Sequence, residues 1–306
     1  MPNQKFYKLF YQPTLNKIVR STLRPFRFVL PASLKIPVSG IITVYNNGKP
    51  IRFKTNETSP MTKILFWEDK GCTFEFSEIF KDLILNCESF FDIGANVGYY
   101  SLLAKTVKAE IDVYSFEPSI GPKHFLKENI ALNNFNDIHL IEKALGDKTG
   151  TIQFFEEKNP KYAYQKFHAS GIGNTENTWG ISNFLKYDVE LTKIDDVVSK
   201  ENIKSIDLIK IDTEGTENYV FMGGIESIKK FQPIIICEVL KDKIEAKIEE
   251  IIVSELGYLM FQFQSKTNKL IEIKSIRDCN KNGETNYFFV PVSKRDLIGK
   301  FVLKNG

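Results

Sequence analysis

One stretch constrains the fold of this 306-residue chain more than any other: Phe90-Phe91-Asp92-Ile93-Gly94-Ala95-Asn96-Val97-Gly98-Tyr99-Tyr100-Ser101. It reads as a short buried strand that enters a two-glycine turn and continues directly into a helix. An acid precedes the first glycine. Upstream, 75–86 reads as a helix. Downstream, strand patterns at 111–116, 138–144, 151–155, 188–191, 205–211 and 233–237 alternate with helical patterns at 123–133, 194–200, from 217, and at 242–256. Short apolar strands separated by helices predict a mostly parallel sheet covered on both faces. The closing runs at 258–262, 270–273 and 286–292 have no helical pattern between them, which predicts an antiparallel edge.

The amino-terminal part is organised differently. The net charge of +3 is the sum of two unlike parts. Residues 1–56 hold ten Lys and Arg and no Asp or Glu, so the remainder carries 31 basic against 38 acidic residues, or −7. Segments 4–11 and 15–23 read as short helices with basic residues on one side and apolar ones on the other. Asn46-Asn47-Gly48 between two alternating runs is a hairpin signal. We therefore divide the chain into a basic extension with a β-hairpin, 1–60, and a main domain, 61–306. The basic helices at 1–37 suit an anionic membrane surface; packing on the parent domain or a second subunit of a homo-oligomer is the alternative. No apolar run reaches the ~18–20 residues of a membrane span, and no uninterrupted apolar core of a cleaved leader follows the early basic residues. Four cysteines without a C-x-x-C pair, and three histidines without metal-ligand spacing, fit a reduced cytoplasmic compartment and no structural metal.

In open α/β sheets ligands bind at the carboxyl ends of the strands. Those ends read Asp92-Ile-Gly94-Ala-Asn96, Glu117-Pro118, Glu142-Lys143-Ala144, Asp212-Thr-Glu214-Gly215 and Glu238. So acidic a set disfavours a phosphate-rich nucleotide, and neither the dinucleotide nor the triphosphate glycine pattern is present. S-adenosylmethionine, a phosphate-free cation with two ribose hydroxyls, fits better. Gly94 would let the backbone approach it, and Gly98 would let the helix pack on the sheet. Asp92 and Asn96 would order the turn and meet the methionine portion, although Asp92 also suits a purely turn-holding role. Glu117 would accept from the ribose hydroxyls, as an acid does at the same place in dinucleotide sites.

The run FDIGANVGYYS, then SFEPS, LKENIALNN, IHLIEKALGDKTG, LIKIDTEGTE and PIIICEV, resembles the FkbM-type family of S-adenosylmethionine-dependent methyltransferases over about 88–239. The resemblance implies a Rossmann-like seven-strand methyltransferase sheet with its last strand inserted antiparallel. It implies O-methylation, often of sugars or glycan-linked metabolites. It also places the cofactor against Asp92, Gly94, Asn96 and Glu117, with the adenine near Glu142, Lys143 and Ala144.

Methyl transfer from a sulfonium needs alignment of the acceptor and exclusion of water, and a neutral hydroxyl needs a base. Asp212 is the first candidate for that base. Glu214 is either a second acid at the acceptor or the holder of its own turn, the role favoured here. His168, in the polar loop 157–182, reads first as an exposed imidazole and second as a catalytic group. Asp212, Glu214 and Glu238 would bind Mg²⁺ if they converged. The expected acceptor is a hydroxyl, of a sugar, glycan or glycolipid, with a small secondary metabolite as the alternative. A nucleic-acid base is disfavoured, because Asp212-Thr213-Glu214-Gly215 stands where an Asn/Asp-Pro-Pro-aromatic motif would be. Asn159-Pro160-Lys161-Tyr162 lies in another loop. A non-catalytic binding module is the remaining reading, and cytoplasmic or inner-membrane-surface residence the expected location.

Overall fold

Alternation along three neighbouring strands explains how the core is divided. The computed structural model describes residues 4–68, 74–169, 184–240, 244–279 and 283–303. The first part comprises α1 (Gln4–Phe10), α2 (Pro13–Leu23), the hairpin β1 (Gly40–Asn46) and β2 (Lys49–Thr55), α3 (Pro60–Trp67) and α4 (Ser77–Ile84). The middle runs β3 (Ser89–Ile93), α5 (Tyr99–Val107), β4 (Asp112–Phe116), α6 (Ile120–Leu132) and β5 (His139–Ile141). There follow β6 (Ala144–Leu145), β7 (Gly150–Glu157), β8 (Phe184–Thr192) and α7 (Ile194–Lys200). Next come β9 (Leu208–Ile211), α8 (Glu217–Met222), α9 (Ile225–Phe231) and β10 (Ile234–Glu238). The last elements are α10 (Glu245–Glu250), β11 (Leu259–Gln264), β12 (Lys269–Ile273), α11 (Ile276–Cys279) and β13 (Asn286–Val290).

Phe90, Leu208 and Ile236 point to one face of the sheet, where the hairpin, α4 and α5 pack. Phe91, Ile93, Ile209, Ile211, Ile235 and Cys237 point to the other, under α7 to α10. Such strands are apolar at nearly every position because both faces are covered. Two residues break that rule on the first face. Asp92 and Lys210 are register partners on adjacent strands, and both are buried.

The main sheet has the order β12-β11-β13-β10-β9-β3-β4-β5. Strands β10, β9, β3, β4 and β5 are parallel. β13 runs antiparallel between β10 and β11, and β12 pairs antiparallel with β11 at the edge. The expected seven-strand order is present with β12 as an eighth strand. The expected antiparallel edge is β12 alone, since β13 lies inside the sheet.

The single strand expected over 138–144 is two. β5 ends at Ile141, and β6 belongs to a separate three-stranded sheet ordered β6-β8-β7. The polar Glu142-Lys143 pair between them explains the break, because Glu142 turns outward to Lys123 and Lys127 of α6. Helices α3 and α9 were not anticipated. Asp242, the expected start of the following helix, lies outside the described residues, as does 170–182 of the polar loop.

The hairpin forms as the Asn-Gly signal predicts, with Asn47 and Gly48 both at positive φ. Its inward residues Ile42, Val44, Ile51 and Phe53 join the core that α4 and α5 cover. Asn129 of α6 and Asn133 just after it close the free edge of β2. Asn129 Oδ1 accepts from Lys54 N at 2.6 Å, and Asn133 Oδ1 accepts from Arg52 N at 2.8 Å. Helix α2 buries a polar face rather than an apolar one. Arg20 donates to the Ser39 and Ile41 carbonyls at 3.0 and 2.7 Å, and burial lowers its pKa to about 10.

Candidate active site

The turn after β3 is held from below and from the side. Asp92, 1 % exposed, accepts from Ser101 N at 3.0 Å and from Ser101 Oγ at 2.5 Å, tying the start of α5 to the strand. Burial raises its pKa, opposed by Lys210 and by the Ser101 hydrogen bonds. Its side chain therefore sits beneath the turn, and it does not line the cavity above. Gly94, at φ 72°, lies against the Asp212 backbone, where an added Cβ would fall 1.9 Å from the Asp212 carbonyl oxygen. No other residue fits there. Gly98 adopts a left-handed conformation at the start of α5 and packs on Leu126.

Glu117, 4 % exposed, follows β4. Its carboxylate accepts from Asn96 N and Ser119 N, both at 2.8 Å, so it joins the turn to the next strand's loop. Burial raises its pKa against the pull of those N–H groups. Each carboxylate oxygen has a second lone pair that can accept from a ligand hydroxyl.

Above these groups opens a cavity of about 310 Å³, lined by Gly94, Asn96, Glu117, Lys143, Ala144 and Asp212. Phe116, Ile152, Phe154, Leu191 and Tyr219 give it apolar walls, and Gly146, Asp147 and Lys148 bring in the β6–β7 turn. Apolar walls with a few convergent polar groups are what small-molecule sites share. Of the expected adenine residues, Lys143 and Ala144 line the cavity. Glu142 does not, because its ion pairs to Lys127 and Lys123 draw it to α6 and lower its pKa.

Beside Asp212 stands an ionic cluster that sequence reading missed. Lys210 Nζ donates to Gly94 O at 2.9 Å and lies 3.3 Å from Asp212 Oδ2 and 3.8 Å from Asp92 Oδ1. Burial alone would lower its pKa, but Asp212, Asp92 and Glu75 together raise it. Glu238 is pushed up to about 8 by burial and then by Asp212, while Thr285 Oγ1 donates to it at 2.9 Å. Glu75 is pushed up to about 7 by burial and then by Asp212, although much of its surface stays accessible, and Tyr100 OH lies 3.2 Å from its carboxylate. Among the described residues no three His, Cys, Asp or Glu side chains are gathered to hold a metal ion. A lysine within the otherwise apolar strand Leu-Ile-Lys-Ile was the available signal for this cluster.

Two expected roles shift. The turn after β9 is held by Glu217, whose Oε1 accepts from Thr213 N, Thr213 Oγ1 and Gly215 N at 2.9–3.0 Å. Glu214, expected to do this, adopts φ 60° and lines the cavity instead. His168 is buried rather than exposed, at 4 %, and burial and then Lys158 lower its pKa. It does not line the cavity. Its neighbours are fastened to the segment after the hairpin, with Asn56 Nδ2 donating to Phe167 O and Ala169 N to Thr58 Oγ1, each at 2.7 Å.

Several known proteins resemble this chain. It is 28 % identical to the methyltransferase sdnD of Sordaria araneosa, over 58 % of this chain and 80 % of that protein. It is 27 % identical to the 2-O-methyltransferase NoeI of Sinorhizobium fredii, over 45 % of this chain and 58 % of NoeI. The crystal structure of a methyltransferase FkbM from Methylobacillus flagellatus superimposes with a TM-score of 0.44 at 15 % identity, covering 67 % of this chain and 44 % of that one. The chain thus spans under two thirds of NoeI and under half of the solved protein. The family model described as the methyltransferase FkbM domain matches residues 92–260, more than half of the chain and all the described residues that line the cavity, and the chain belongs to that family.

Proposed function

We propose that this methyltransferase domain takes S-adenosylmethionine as its donor and methylates a hydroxyl of a sugar, glycan or glycolipid. One observation carries the reading: a single cavity joins the Gly94 turn, the buried Glu117 carboxylate and the Asp212 carboxylate. The donor set suits this cofactor. Gly94 lets its turn close against the Asp212 backbone so that both loops meet at one cavity, Glu117 keeps lone pairs for a ribose diol, and the apolar walls formed by Phe116 and Tyr219 suit a purine. When bound, the cofactor supplies a methyl group already activated by the sulfonium.

The remaining work falls to the chain's own residues. Asp212 accepts the proton that the acceptor hydroxyl releases. Lys210 fixes its carboxylate, and Glu238, protonated below about pH 8, stands beside it. Asp92 and Ser101 hold the turn rigid, and Glu217 does the same for the loop carrying Asp212. An oxygen acceptor is also in keeping with the similarity to NoeI, a 2-O-methyltransferase. The test is in two stages. Isothermal titration should show the wild-type protein binding S-adenosylmethionine, and absence of heat would overturn the donor assignment. Labelled methyl should then pass to a glycan or glycolipid fraction; transfer only to small metabolites would replace the acceptor class while leaving the donor standing.

A further inference from the structure

Exposed apolar side chains are concentrated at one place in the molecule. Of the seventeen large hydrophobic residues exposed among the described residues, seven lie between Phe6 and Leu34. The two most exposed are adjacent, Phe28 at 80 % and Val29 at 81 %, on the turn-rich connection between α2 and β1. Phe26 and Leu34 flank them, and Ile18 stands out from α2. This apolar surface follows from how α2 docks. Arg20 and Asn16 take the inward positions, so Arg20 fastens the helix to the Ser39 and Ile41 carbonyls and Ile18 is left outside.

Charge identifies the occupant. Lys17, Arg24, Arg27 and Lys35 are interleaved with these apolar residues along the chain, and no acid occurs before Glu57; of these cations Arg24 is turned toward the core, 5.1 Å from the Phe66 ring centroid. The Arg27 guanidinium lies 4.3 Å from the Phe28 ring centroid, pairing a cation with an aromatic face at the tip. Pro25 and Pro31 restrict the backbone on either side. A surface for an acidic protein would not need its aromatic tip projecting into solvent. An anionic bilayer uses both features, with cations at the headgroups and apolar side chains in the acyl boundary. No described helix is long and apolar enough to cross a membrane, so contact is with one surface.

We infer that residues 17–35 dock the protein on an anionic phospholipid bilayer, with Phe28 and Val29 entering the acyl boundary and Lys17 and Lys35 meeting the headgroups. Vesicle binding is read without cofactor or acceptor, so its outcome is independent of the methyl-transfer reading.

The experiment is co-sedimentation of the whole chain with phosphatidylcholine vesicles, with and without about one third phosphatidylserine. Binding should require the anionic lipid and weaken as salt is raised. The pairs Phe28→Ser with Val29→Ser, and Lys17→Glu with Lys35→Glu, should each lower the partition coefficient roughly tenfold with the melting temperature unchanged. Equal binding to neutral vesicles, or none to either kind, would overturn the inference. So would silence of the Phe28/Val29 pair. A dimer in sedimentation velocity that this pair converts to monomer, without vesicle binding, would assign the face to a second copy.

Discussion

Two parts of the cavity wall hold their carboxylates by different means. In one, Glu117 is gripped by two backbone N–H groups, from Asn96 and Ser119. In the other, Asp212 is placed by side chains, with Lys210 at 3.3 Å and Glu238 raised by its presence. Backbone donors hold a carboxylate without any titrating partner, and they favour its ionised form. An ionic cluster ties position to charge, so its geometry changes when a proton moves. The first arrangement suits recognition of a constant ligand, and the second suits a step in which a proton must leave an acceptor.

The largest test of this contrast is Asp212→Asn. Turnover should fall by about 10²–10⁴, while cofactor affinity by titration stays within about threefold. Equal losses in both would show that the two parts are one unit. Next is Lys210→Met, which leaves Asp92 as an uncompensated buried acid. Breaking a buried pair in this way costs ~3 kcal/mol or more, read as a melting temperature lower by roughly 6 °C. Adding Asp92→Asn to that variant should restore part of the loss. If it restores none, Lys210 acts through Asp212 alone.

Glu117→Ala should weaken cofactor binding by roughly 30- to 100-fold, since it removes an acceptor and strands two N–H groups. Stability should change less than for Lys210→Met. The smallest effect concerns Glu238. Its folded pKa lies above the unfolded value, so the folded state holds the proton more tightly. Stability from this group is full below about pH 4.5 and is lost as pH rises to about 8. Glu238→Gln should therefore flatten the fall in melting temperature between pH 5 and 9 by about 2 °C. An unchanged slope would remove Glu238 from the cluster.

The cofactor part was legible in the sequence because its logic is local. Strand, glycine turn and helix are contiguous, and Glu117 ends the very next strand. The acceptor part was only half legible. Asp212 could be found as a strand-end acid, but Lys210 matters through its register with Asp92, 118 positions earlier, and Glu75 arrives from before β3. Periodicity within one segment carries no information on such pairings. Glu142 was misplaced for a related reason: its orientation is set by Lys123 and Lys127 on α6. The exchange of Glu214 for Glu217 was also out of reach, because only the turn's backbone conformation decides which acid meets the N–H groups. For the fold, alternation of strands and helices located the five parallel strands, but the strands expected at 151–155 and 188–191 pair antiparallel with each other in the separate sheet. The insertion of β13 is a long-range pairing and came only from the resemblance.

That insertion has a consequence for the order in which the molecule can be built. Synthesis from the amino terminus produces β10, then the β11–β12 hairpin, and only afterwards β13, which must enter between them. Until it does, the hairpin has no partner in the main sheet and the free side of β10 is an open edge. Thr285, which donates to Glu238, immediately precedes β13. The strand that sets Thr285 beside Glu238 is therefore made after the rest of the sheet, and its closure on β10 also completes the surroundings of Asp212.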